Sequence, residues 1–290
     1  KLSLCLYIIR EYLNNTKMKR LYIILTVIAI CTAASASGRE YAVCRDIPYK
    51  FSGDDYEKER CKLDIYYPTD TSGCPVVVWF HGGGLTSGNK SFPWKLKEKG
   101  MVLVAVNYRL LPKVEIQECL DDAAAAVAWV FDNIDGYSGD RKKIFVSGHS
   151  AGGYLTAMIG LDRKWLAGYN SNADEIAGLI PFSGQMISHF AYRDMKGIGN
   201  LQPLIDEYAP LYHVRNDAPP LILITGDRDI ELFGRYEENA YMWRMMGLTG
   251  HTETYLYEID GHGHGAMAEP AYHILEHHIR RILGEPSDPE

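Results

Sequence analysis

Short apolar runs of strand length alternate with helical segments along most of this chain, and this alternation constrains the fold more than any other feature. The runs at 75–80 and 101–107 are rich in Val and lack polar alternation, which is typical of strands buried on both faces of a sheet. Strands that alternate with helices indicate βαβ units. We therefore predict an α/β fold with a doubly wound, mostly parallel sheet and helices on both faces. Further strands are expected at 144–147, 178–182, 221–225 and 252–259, and helices at 120–131, 153–159, 237–246 and 272–283.

The length and charge of the chain restrict its organisation and its partners. The 290 residues contain no internal repeat and no low-complexity linker, so we predict one domain over 37–290. Lys and Arg number 30 against 37 Asp and Glu, a formal net charge of −7. An acidic chain without a long basic run is poorly suited to binding phosphate backbones, so we expect no nucleic-acid partner.

The first 36 residues resemble an upstream segment followed by a signal peptide. Met18 precedes Lys-Arg, a mostly apolar stretch of about ten residues and the sequence Ala-Ser-Ala at 34–36, an order that matches a secretory signal peptide. The stretch is shorter than the roughly 20 apolar residues that span a bilayer. We therefore expect residues 1–17 to lie upstream of the natural start, and the protein to be exported to the periplasm or secreted. The alternative is an uncleaved N-terminus that anchors the protein in a membrane.

Export would allow the cysteines to form disulfides. Cys44 and Cys61 flank the turn-like sequence at 52–55, and a hairpin centred there would place them opposite each other at a distance that suits an S–S bond. The alternative is that both are free thiols. No cysteine pair beyond residue 36 has Cys-x-x-Cys spacing, which argues against a zinc knuckle or thioredoxin-like chemistry.

A Gly-x-Ser-x-Gly sequence, Gly-His-Ser-Ala-Gly, occupies 148–152 between a predicted strand and a predicted helix. In a sharp turn from strand to helix, glycines on both sides of the serine avoid collisions with neighbouring backbone. Such a turn exposes the serine hydroxyl at the edge of the sheet. The sequence therefore predicts Ser150 as a nucleophile.

A second glycine-rich loop, His-Gly-Gly-Gly at 81–84, directly follows the predicted strand at 75–80. A serine that attacks an ester creates an oxyanion, which requires hydrogen-bond donors already in place. Glycines allow backbone N–H groups to turn inward, so we predict an oxyanion hole from the amides of Gly83, Gly84 and Ala151. The alternative is a phosphate-binding loop, but neither Gly-Lys-Ser/Thr nor Gly-x-Gly-x-x-Gly follows.

A serine hydroxyl needs a base, and the base needs a carboxylate to orient it. Asp227 and Asp229 follow one late predicted strand, and His262 and His264 follow the next. Because the carboxyl ends of parallel strands share one edge of the sheet, both loops can converge on Ser150. From the residues alone, Asp227 could instead cap its turn and His262 could contact substrate.

Together these motifs resemble the α/β-hydrolase fold. His-Gly-Gly-Gly, Asn-Tyr-Arg-Leu at 107–110, Gly-His-Ser-Ala-Gly-Gly, a late Gly-x-x-Asp and a late His-Gly occur in that order. The nearest subgroup is the hormone-sensitive-lipase-like esterases and the related carboxylesterases, including feruloyl- and acetyl-esterase-like enzymes, and the resemblance covers nearly all of 40–285. It implies that Asp229, which ends Gly-x-x-Asp, is the acid and that His264 is the base.

The resemblance implies a serine carboxylesterase that works through an acyl-enzyme with Ser150, Asp229 and His264, without a cofactor. The lipase-like members carry a long helical cap, whereas cap material here can come only from the proposed hairpin or from 183–220. We therefore expect a small cap, an open pocket, and a small or polysaccharide-linked ester substrate with an acetyl or feruloyl group. Alternatives are an amidase or peptidase, such as an arylformamidase-like hydrolase, and a non-catalytic binding protein.

Histidines near the C-terminus raise the question of a metal site. His273 and His277 share one face of the last predicted helix, but no Glu follows His273 as in His-Glu-x-x-His. A solvated helix face explains these residues better, so we predict no metal site.

Overall fold

The computed structural model describes residues 32–36, 39–51 and 53–285. Within these ranges, strands and helices alternate from residue 102 onward, whereas the three strands between 62 and 106 follow one another without an α-helix between them. The strands are β1 (Thr32–Ala36), β2 (Arg39–Pro48), β3 (Lys62–Pro68), β4 (Cys74–Phe80), β5 (Val102–Val106), β6 (Gly139–His149), β7 (Gly178–Phe182), β8 (Leu221–Gly226) and β9 (Thr254–Ile259). The α-helices are α1 (Asp55–Arg60), α2 (Ile116–Asn133), α3 (Ala151–Leu161), α4 (Lys164–Ala167), α5 (Phe190–Met195), α6 (Arg235–Leu248) and α7 (Ala268–Leu283).

The strands form one sheet in the order β1-β2-β3-β5-β4-β6-β7-β8-β9. The strands from β5 to β9 run parallel, and β1, β2 and β3 add an antiparallel edge. The chain builds β5 on one side of β4 and then returns to build β6 on the other side. The carboxyl ends of β4 and β6 therefore meet at a reversal of strand order, where ligands bind in open α/β sheets.

Both faces of the sheet are covered by helices. Val76 and Val78 of β4 point into one apolar layer, which includes residues of α2 and α3. Val77 and Trp79 point into the opposite layer, which includes Leu275 of α7. The absence of polar alternation in β4 follows from this burial on both sides. The predicted doubly wound α/β architecture is confirmed.

The predicted elements lie where the apolar runs indicated, with differences at their ends. The strand predicted at 144–147 is the last part of β6, which begins at Gly139. Helix α2 begins four residues before the predicted 120–131 because Glu115 and Glu118 form a reciprocal capping box. Glu is not among the preferred residues at an N-cap position, so this start was hard to predict from the sequence.

The connection between β2 and β3 differs from the predicted hairpin turn. The two strands do pair antiparallel, but the Asp54 side chain accepts a hydrogen bond from the Glu57 N–H at 2.8 Å and caps helix α1 between them. The register sets Cys44 opposite Ile65. Cys61 carries a free thiol, whereas Cys44 is disulfide-bonded. The predicted Cys44–Cys61 disulfide is therefore wrong, and so is the alternative prediction that both cysteines are free thiols.

The predicted leader, residues 1–36, falls mostly outside the described residues. Its last part forms β1, an edge strand that pairs with β2 and sets Ala34 opposite Tyr41. The sequence did not predict a strand here, because pairing with an open sheet edge needs only backbone groups. Cleavage after 36 stays a prediction. Among the described residues, no helix has the length and apolarity to cross a membrane.

The segment 183–220, from which a small cap was predicted, lies between β7 and β8. Tyr192 and Tyr208 are buried and pack edge to face with ring centroids 5.0 Å apart. The Tyr154 hydroxyl donates a hydrogen bond to the Tyr208 carbonyl at 2.7 Å. The cap is therefore attached to α3, the helix that follows Ser150.

Candidate active site

Ser150 lies in a tight turn between β6 and α3, with φ 57° and ψ −114°. A Cβ atom on Gly148 would lie 2.6 Å from the Phe80 carbonyl oxygen, and one on Gly152 would overlap the same oxygen. Only glycine fits at these positions, because the turn packs directly on the end of β4. The positive φ of a non-glycine residue is a strained conformation of the kind that clusters at functional sites.

His264 reaches Ser150 from the loop between β9 and α7. The Ser150 hydroxyl lies 2.9 Å from Nε2 of His264, within hydrogen-bond reach of a general base. The His264 side chain keeps 22% of its surface exposed, so the pair is accessible from solvent. His262 is directed elsewhere, since its Nδ1 bonds to the Asp260 carbonyl at 2.8 Å.

The carboxylate beside His264 belongs to Glu231, and the prediction of Asp229 is wrong. Nδ1 of His264 donates to Oε1 of Glu231 at 2.6 Å. Asp229 is exposed, and its backbone N–H donates to the Asp227 side chain. The chain makes a helical turn after β8, in which the Glu231 N–H bonds to the Asp227 carbonyl at 2.9 Å. This turn carries Glu231 inward and leaves Asp229 outside.

Asp227 caps the turn, as the alternative interpretation of the sequence proposed. Its Oδ1 accepts from the Asp229 N–H at 2.9 Å, and its Oδ2 accepts from the Gly261 N–H at 2.7 Å. Gly261 belongs to the loop that carries His264. The Asp227 carboxylate therefore ties the loop of the acid to the loop of the base.

The carboxylate of Glu231 is held as an anion. Its side chain is only 1% exposed, yet it accepts hydrogen bonds from His264 Nδ1, Ser183 Oγ and the N–H groups of Leu232 and Gly226. Burial raises the pKa of Glu231, but the hydrogen bonds from His264, Ser183 and Leu232 outweigh burial and lower the pKa to about 2. A buried negative charge therefore faces His264 at neutral pH.

Ser183 is a member of this site that the sequence analysis missed. It follows β7 with φ 46°, and its hydroxyl donates to Oε2 of Glu231 at 2.7 Å and lies 3.0 Å from Nδ1 of His264. Its carbonyl accepts a hydrogen bond from the buried Arg235. The available signal was its position directly after a parallel strand, on the edge that carries Ser150.

The loop at 81–84 lies beside Ser150. A Cβ on Gly82 would lie 3.5 Å from Cβ of Ser150. The Gly82 carbonyl accepts from His81 Nδ1 at 2.6 Å, and the Gly83 carbonyl accepts from the Ser87 N–H at 3.0 Å. Because N–H and C=O point in opposite directions in a trans peptide, the N–H groups of Gly83 and Gly84 point away from these partners.

An oxyanion hole would use N–H groups that are turned away from the carbonyl partners of their own loop. Ala151 is the first residue of α3, where a helix N–H has no acceptor within the helix. The assignment of Gly83, Gly84 and Ala151 to the oxyanion hole stays a prediction.

Arg60, at the end of α1, supports the glycine-rich loop at 81–84 and the residues that follow it. This buried guanidinium donates to Asn89 Oδ1 at 2.7 Å, to the Gly88 carbonyl at 3.1 Å and to the Tyr108 carbonyl at 3.0 Å. The Tyr108 hydroxyl in turn donates to the His81 carbonyl at 2.9 Å. Part of the Asn-Tyr-Arg-Leu motif at 107–110 thus supports the loop rather than the reaction.

Comparison with known protein families and sequences finds similarity to proteins that carry esterase names. Residues 63–185, which include both glycine-rich motifs, match the family described as BD-FAE. A probable isoprenylcysteine alpha-carbonyl methylesterase of Oryza sativa is 29% identical over 222 residues, covering 66% of this chain and 50% of that protein. A probable carboxylic ester hydrolase, LipM, of Mycobacterium tuberculosis is 29% identical over 218 residues, covering 66% and 49%. A probable N-octanoylanthranilate hydrolase of Rhodococcus erythropolis is 37% identical over 105 residues, covering 31% and 23%. The chain spans about half the length of the first two relatives.

The similarity to solved structures covers more of this chain than the similarity to the sequences does. A truncated carbohydrate esterase from gut microbiota has a TM-score of 0.69 at 16% identity, covering 84% of this chain and 96% of that one. Esterase 2 of Thermogutta terrifontis, phosphoramylated by tabun, has a TM-score of 0.66 at 22% identity, covering 88% and 98%. The chain has the α/β-hydrolase fold.

The chain order of the three residues is Ser150, Glu231, His264. That order, nucleophile then acid then histidine, is the one the fold uses, and the fold accepts either Asp or Glu as the acid. Asp227, Asp229 and Glu231 all follow β8, so the prediction of Asp229 as the acid left out one eligible carboxylate.

A groove of about 470 Å³ lies beside the loop between β9 and α7 and is not lined by Ser150, Glu231 or His264. Its lining includes Trp94, His262, Gly265, Glu269 and Tyr272. The groove therefore includes residues on both sides of His264 in the sequence, and it lies near the start of α7.

A second cavity, of about 460 Å³, lies at the end of α2 and contains none of the three residues. It is rich in aromatic side chains, including Tyr49, Trp129 and Tyr137. Helix α2 runs from the edge that carries Ser150 to the opposite edge of the sheet. This cavity therefore extends toward the edge of the sheet opposite Ser150.

Proposed function

We propose that this protein is a serine carboxylesterase that hydrolyses carboxylic esters through an acyl-enzyme. The observation that carries the proposal is a continuous hydrogen-bonded relay from Ser150 Oγ to His264 Nε2, 2.9 Å, and from His264 Nδ1 to Glu231 Oε1, 2.6 Å. A serine activated by a histidine that a carboxylate orients is suited to acyl transfer. The esterase names of its relatives support the same reaction.

Acylation begins when His264 Nε2 takes the proton of the Ser150 hydroxyl and the oxygen attacks the ester carbonyl carbon. The carbonyl oxygen becomes an oxyanion, which the amides of Gly83, Gly84 and Ala151 bind in this proposal. The Glu231 anion stabilises the positive charge on His264. When the C–O bond breaks, His264 returns the proton to the leaving alkoxide, and an alcohol departs.

Deacylation repeats these steps with water. His264 takes a proton from water, the hydroxide attacks the acyl carbon, and the bond to Ser150 breaks. The proton then returns to the Ser150 oxygen, and the carboxylic acid leaves. No further group is needed to balance either half-reaction.

The proposed substrates carry acetyl or feruloyl groups on small alcohols or on polysaccharide. Because His264 protonates the leaving oxygen, the alcohol lies on the His264 side of Ser150, where the groove begins. Trp94 there is 63% exposed. One face of its ring carries the Lys95 ammonium at 4.5 Å, which also pairs with Glu269 at 3.1 Å. An exposed indole fixed in this way is suited to stack on a sugar ring.

The Ser150→Ala variant tests the reaction. We expect it to lower kcat/KM for p-nitrophenyl acetate by about 10³-fold or more, because the nucleophile is absent. The exposed Ser91→Ala is the matched control and should retain wild-type activity. A fluorophosphonate should label the wild type and Ser91→Ala but not Ser150→Ala. Near wild-type hydrolysis by Ser150→Ala would contradict the proposal.

Amide hydrolysis is the second candidate, favoured by the relative whose name places an octanoyl group on the nitrogen of anthranilate. The same relay could cleave an amide if His264 protonates the leaving nitrogen. Parallel assays with p-nitrophenyl acetate and p-nitroacetanilide separate the two reactions, since the acyl group is the same. A larger kcat/KM for the anilide would replace the esterase proposal.

We also propose export, on the signal-peptide pattern from Met18 to residue 36. Expression of the full chain followed by N-terminal sequencing of the protein outside the inner membrane tests this proposal. A mature protein that starts at Ser37 is expected. A mature protein that keeps residues 18–36 would favour the membrane anchor.

A further inference from the structure

His149 precedes the nucleophile, and its side chain lies between two loops of the active site. Its Nε2 is 2.7 Å from the backbone carbonyl oxygen of His264, and the centroids of the two rings are 4.7 Å apart. On the other side, a Cβ on Gly82 would lie 3.4 Å from Nδ1 of His149. The imidazole of His149 therefore lies against both the loop that carries His264 and the glycine-rich loop at 81–84.

The hydrogen bond to His264 determines the state of the His149 ring. A carbonyl oxygen can only accept, so Nε2 of His149 carries the hydrogen. Burial, together with the neighbouring His264, lowers the pKa of His149 to about 4. Arg235 acts in the same direction, and Glu231 acts against it. At neutral pH the ring is thus neutral, with Nε2 as a donor and Nδ1 without a proton.

The loop that His149 contacts contains several glycines. Glycine lies at 261, 263 and 265 around His264, and glycine-rich backbone has many accessible conformations. Asp227 fixes this loop at the Gly261 N–H. The bond from His149 fixes it at the carbonyl of the base itself, three residues further on.

We propose that His149 is a positioning residue, which holds the backbone of His264 so that Nε2 of His264 faces Ser150. Its neutrality is part of this role. His264 becomes a cation in each half-reaction, and a second cation at this distance would oppose that charge. The inference rests on the proposed esterase reaction, because it assigns a role at the same site.

A matched pair of variants tests the hydrogen bond. Gln and Met have nearly the same shape, but only Gln offers an N–H donor. His149→Met should lower kcat for p-nitrophenyl acetate by about 10- to 100-fold with KM changed less than about threefold, since a shift of about 1 Å can cost 10²-fold in rate. His149→Gln should keep kcat within about fivefold of the wild type. The exposed His273→Gln serves as the control.

Two results would overturn the proposal while leaving the esterase reaction in place. One is a folded His149→Met, judged by its thermal unfolding midpoint, that retains wild-type kcat. The other is equal loss of kcat in the Met and Gln variants. An inactive wild type would instead contradict the proposed function itself.

A measurement on the wild type does not depend on how the variants fold. The ¹⁵N NMR signals of the histidine rings distinguish the two tautomers and report titration. His149 should show a neutral ring with hydrogen on Nε2 throughout pH 6–8. A ring with hydrogen on Nδ1, or titration near the ordinary histidine value of about 6.5, would refute the role.

Discussion

At the scale of single residues, the buried charge of Glu231 has the largest consequence for the reaction. Four donors converge on its carboxylate, and one of them is the imidazole that takes the proton of Ser150 in the proposed reaction. The carboxylate thereby fixes the tautomer of His264, with hydrogen on Nδ1 and a free Nε2. Without that charge, the tautomer with hydrogen on Nε2 becomes competitive and cannot accept the serine proton.

Glu231→Gln should lower kcat/KM for p-nitrophenyl acetate by about 10³- to 10⁴-fold, because the amide can stabilise the wrong tautomer of His264. Asp229→Asn is the matched control in the same loop and should remain within about twofold of the wild type, since Asp229 is exposed. Steady-state kinetics of both variants decide between the two carboxylates. Loss in Asp229→Asn with retention in Glu231→Gln would reverse the assignment made here.

The acid of the site could not be predicted from this sequence, although the nucleophile and the histidine could. Ser150 and His264 were identifiable because each lies within a short motif next to a strand end. The choice of Glu231 depends on the helical turn after β8, which decides which side chain points inward. Ser183 comes from a third strand end, and no local pattern links it to the histidine. Contacts among three separate loops decide these two residues.

At the scale of elements, α2 is connected to the loops around the site by buried charges. Asp122 of α2 is fully buried and accepts two hydrogen bonds from the Arg109 guanidinium, each 2.8 Å. It also accepts from Lys50 at 2.7 Å. Although burial raises the pKa of Asp122, the bonds from Arg109 and Lys50 produce a net lowering of that pKa. One helix side chain therefore joins the segments after β2 and β5.

Asp122→Asn should destabilise the fold by about 3–5 kcal/mol, because it leaves the positive charges of Arg109 and Lys50 without their buried partner. The exposed Asp132→Asn on the same helix should change the free energy of unfolding by less than about 0.5 kcal/mol. Urea unfolding followed by circular dichroism measures both. Equal stability of the two variants would show that the buried cluster contributes nothing beyond a surface pair.

The parallel strands were predictable because each is a continuous apolar run, and the same reasoning failed at the antiparallel edge. The residues at 52–55 have turn-like composition, but Asp54 uses its side chain to start a helix instead. The composition of such a segment is compatible with both outcomes. Arg60 of α1 contacts the residues that follow the glycine-rich loop at 81–84. This contact joins distant parts of the chain, so the local sequence does not predict it.

At the scale of the whole molecule, several buried histidines link folding to pH. Burial is the main cause that lowers the pKa of His81, His149 and His278 to about 4. The unfolded chain binds protons at these groups near pH 6.5, whereas the folded protein does not until about pH 4. Between these values the unfolded state binds more protons, so the free energy of unfolding falls as the pH falls.

The free energy of unfolding should therefore be lower at pH 5 than at pH 7.5, with each of these histidines contributing up to about 2 kcal/mol to the difference. Urea titrations at the two pH values measure this change. His278→Gln should reduce the pH dependence, and the exposed His273→Gln should leave it unchanged. A stability that is equal at both pH values would contradict the buried neutral state of these rings.

The segment 183–220 is a single insertion between β7 and β8, and its first residue, Ser183, donates a hydrogen bond to Glu231. The remainder, up to Pro220, meets the core through contacts such as the one from Tyr154 to Tyr208. Because the insertion begins and ends at strands of the core sheet, it can be exchanged as one segment with defined ends. A chimera joined after Ser183 and before β8 would exchange the segment whose Phe190 lies against Gly84. We expect it to change substrate choice, while Ser150, Glu231 and His264 keep their positions in the core.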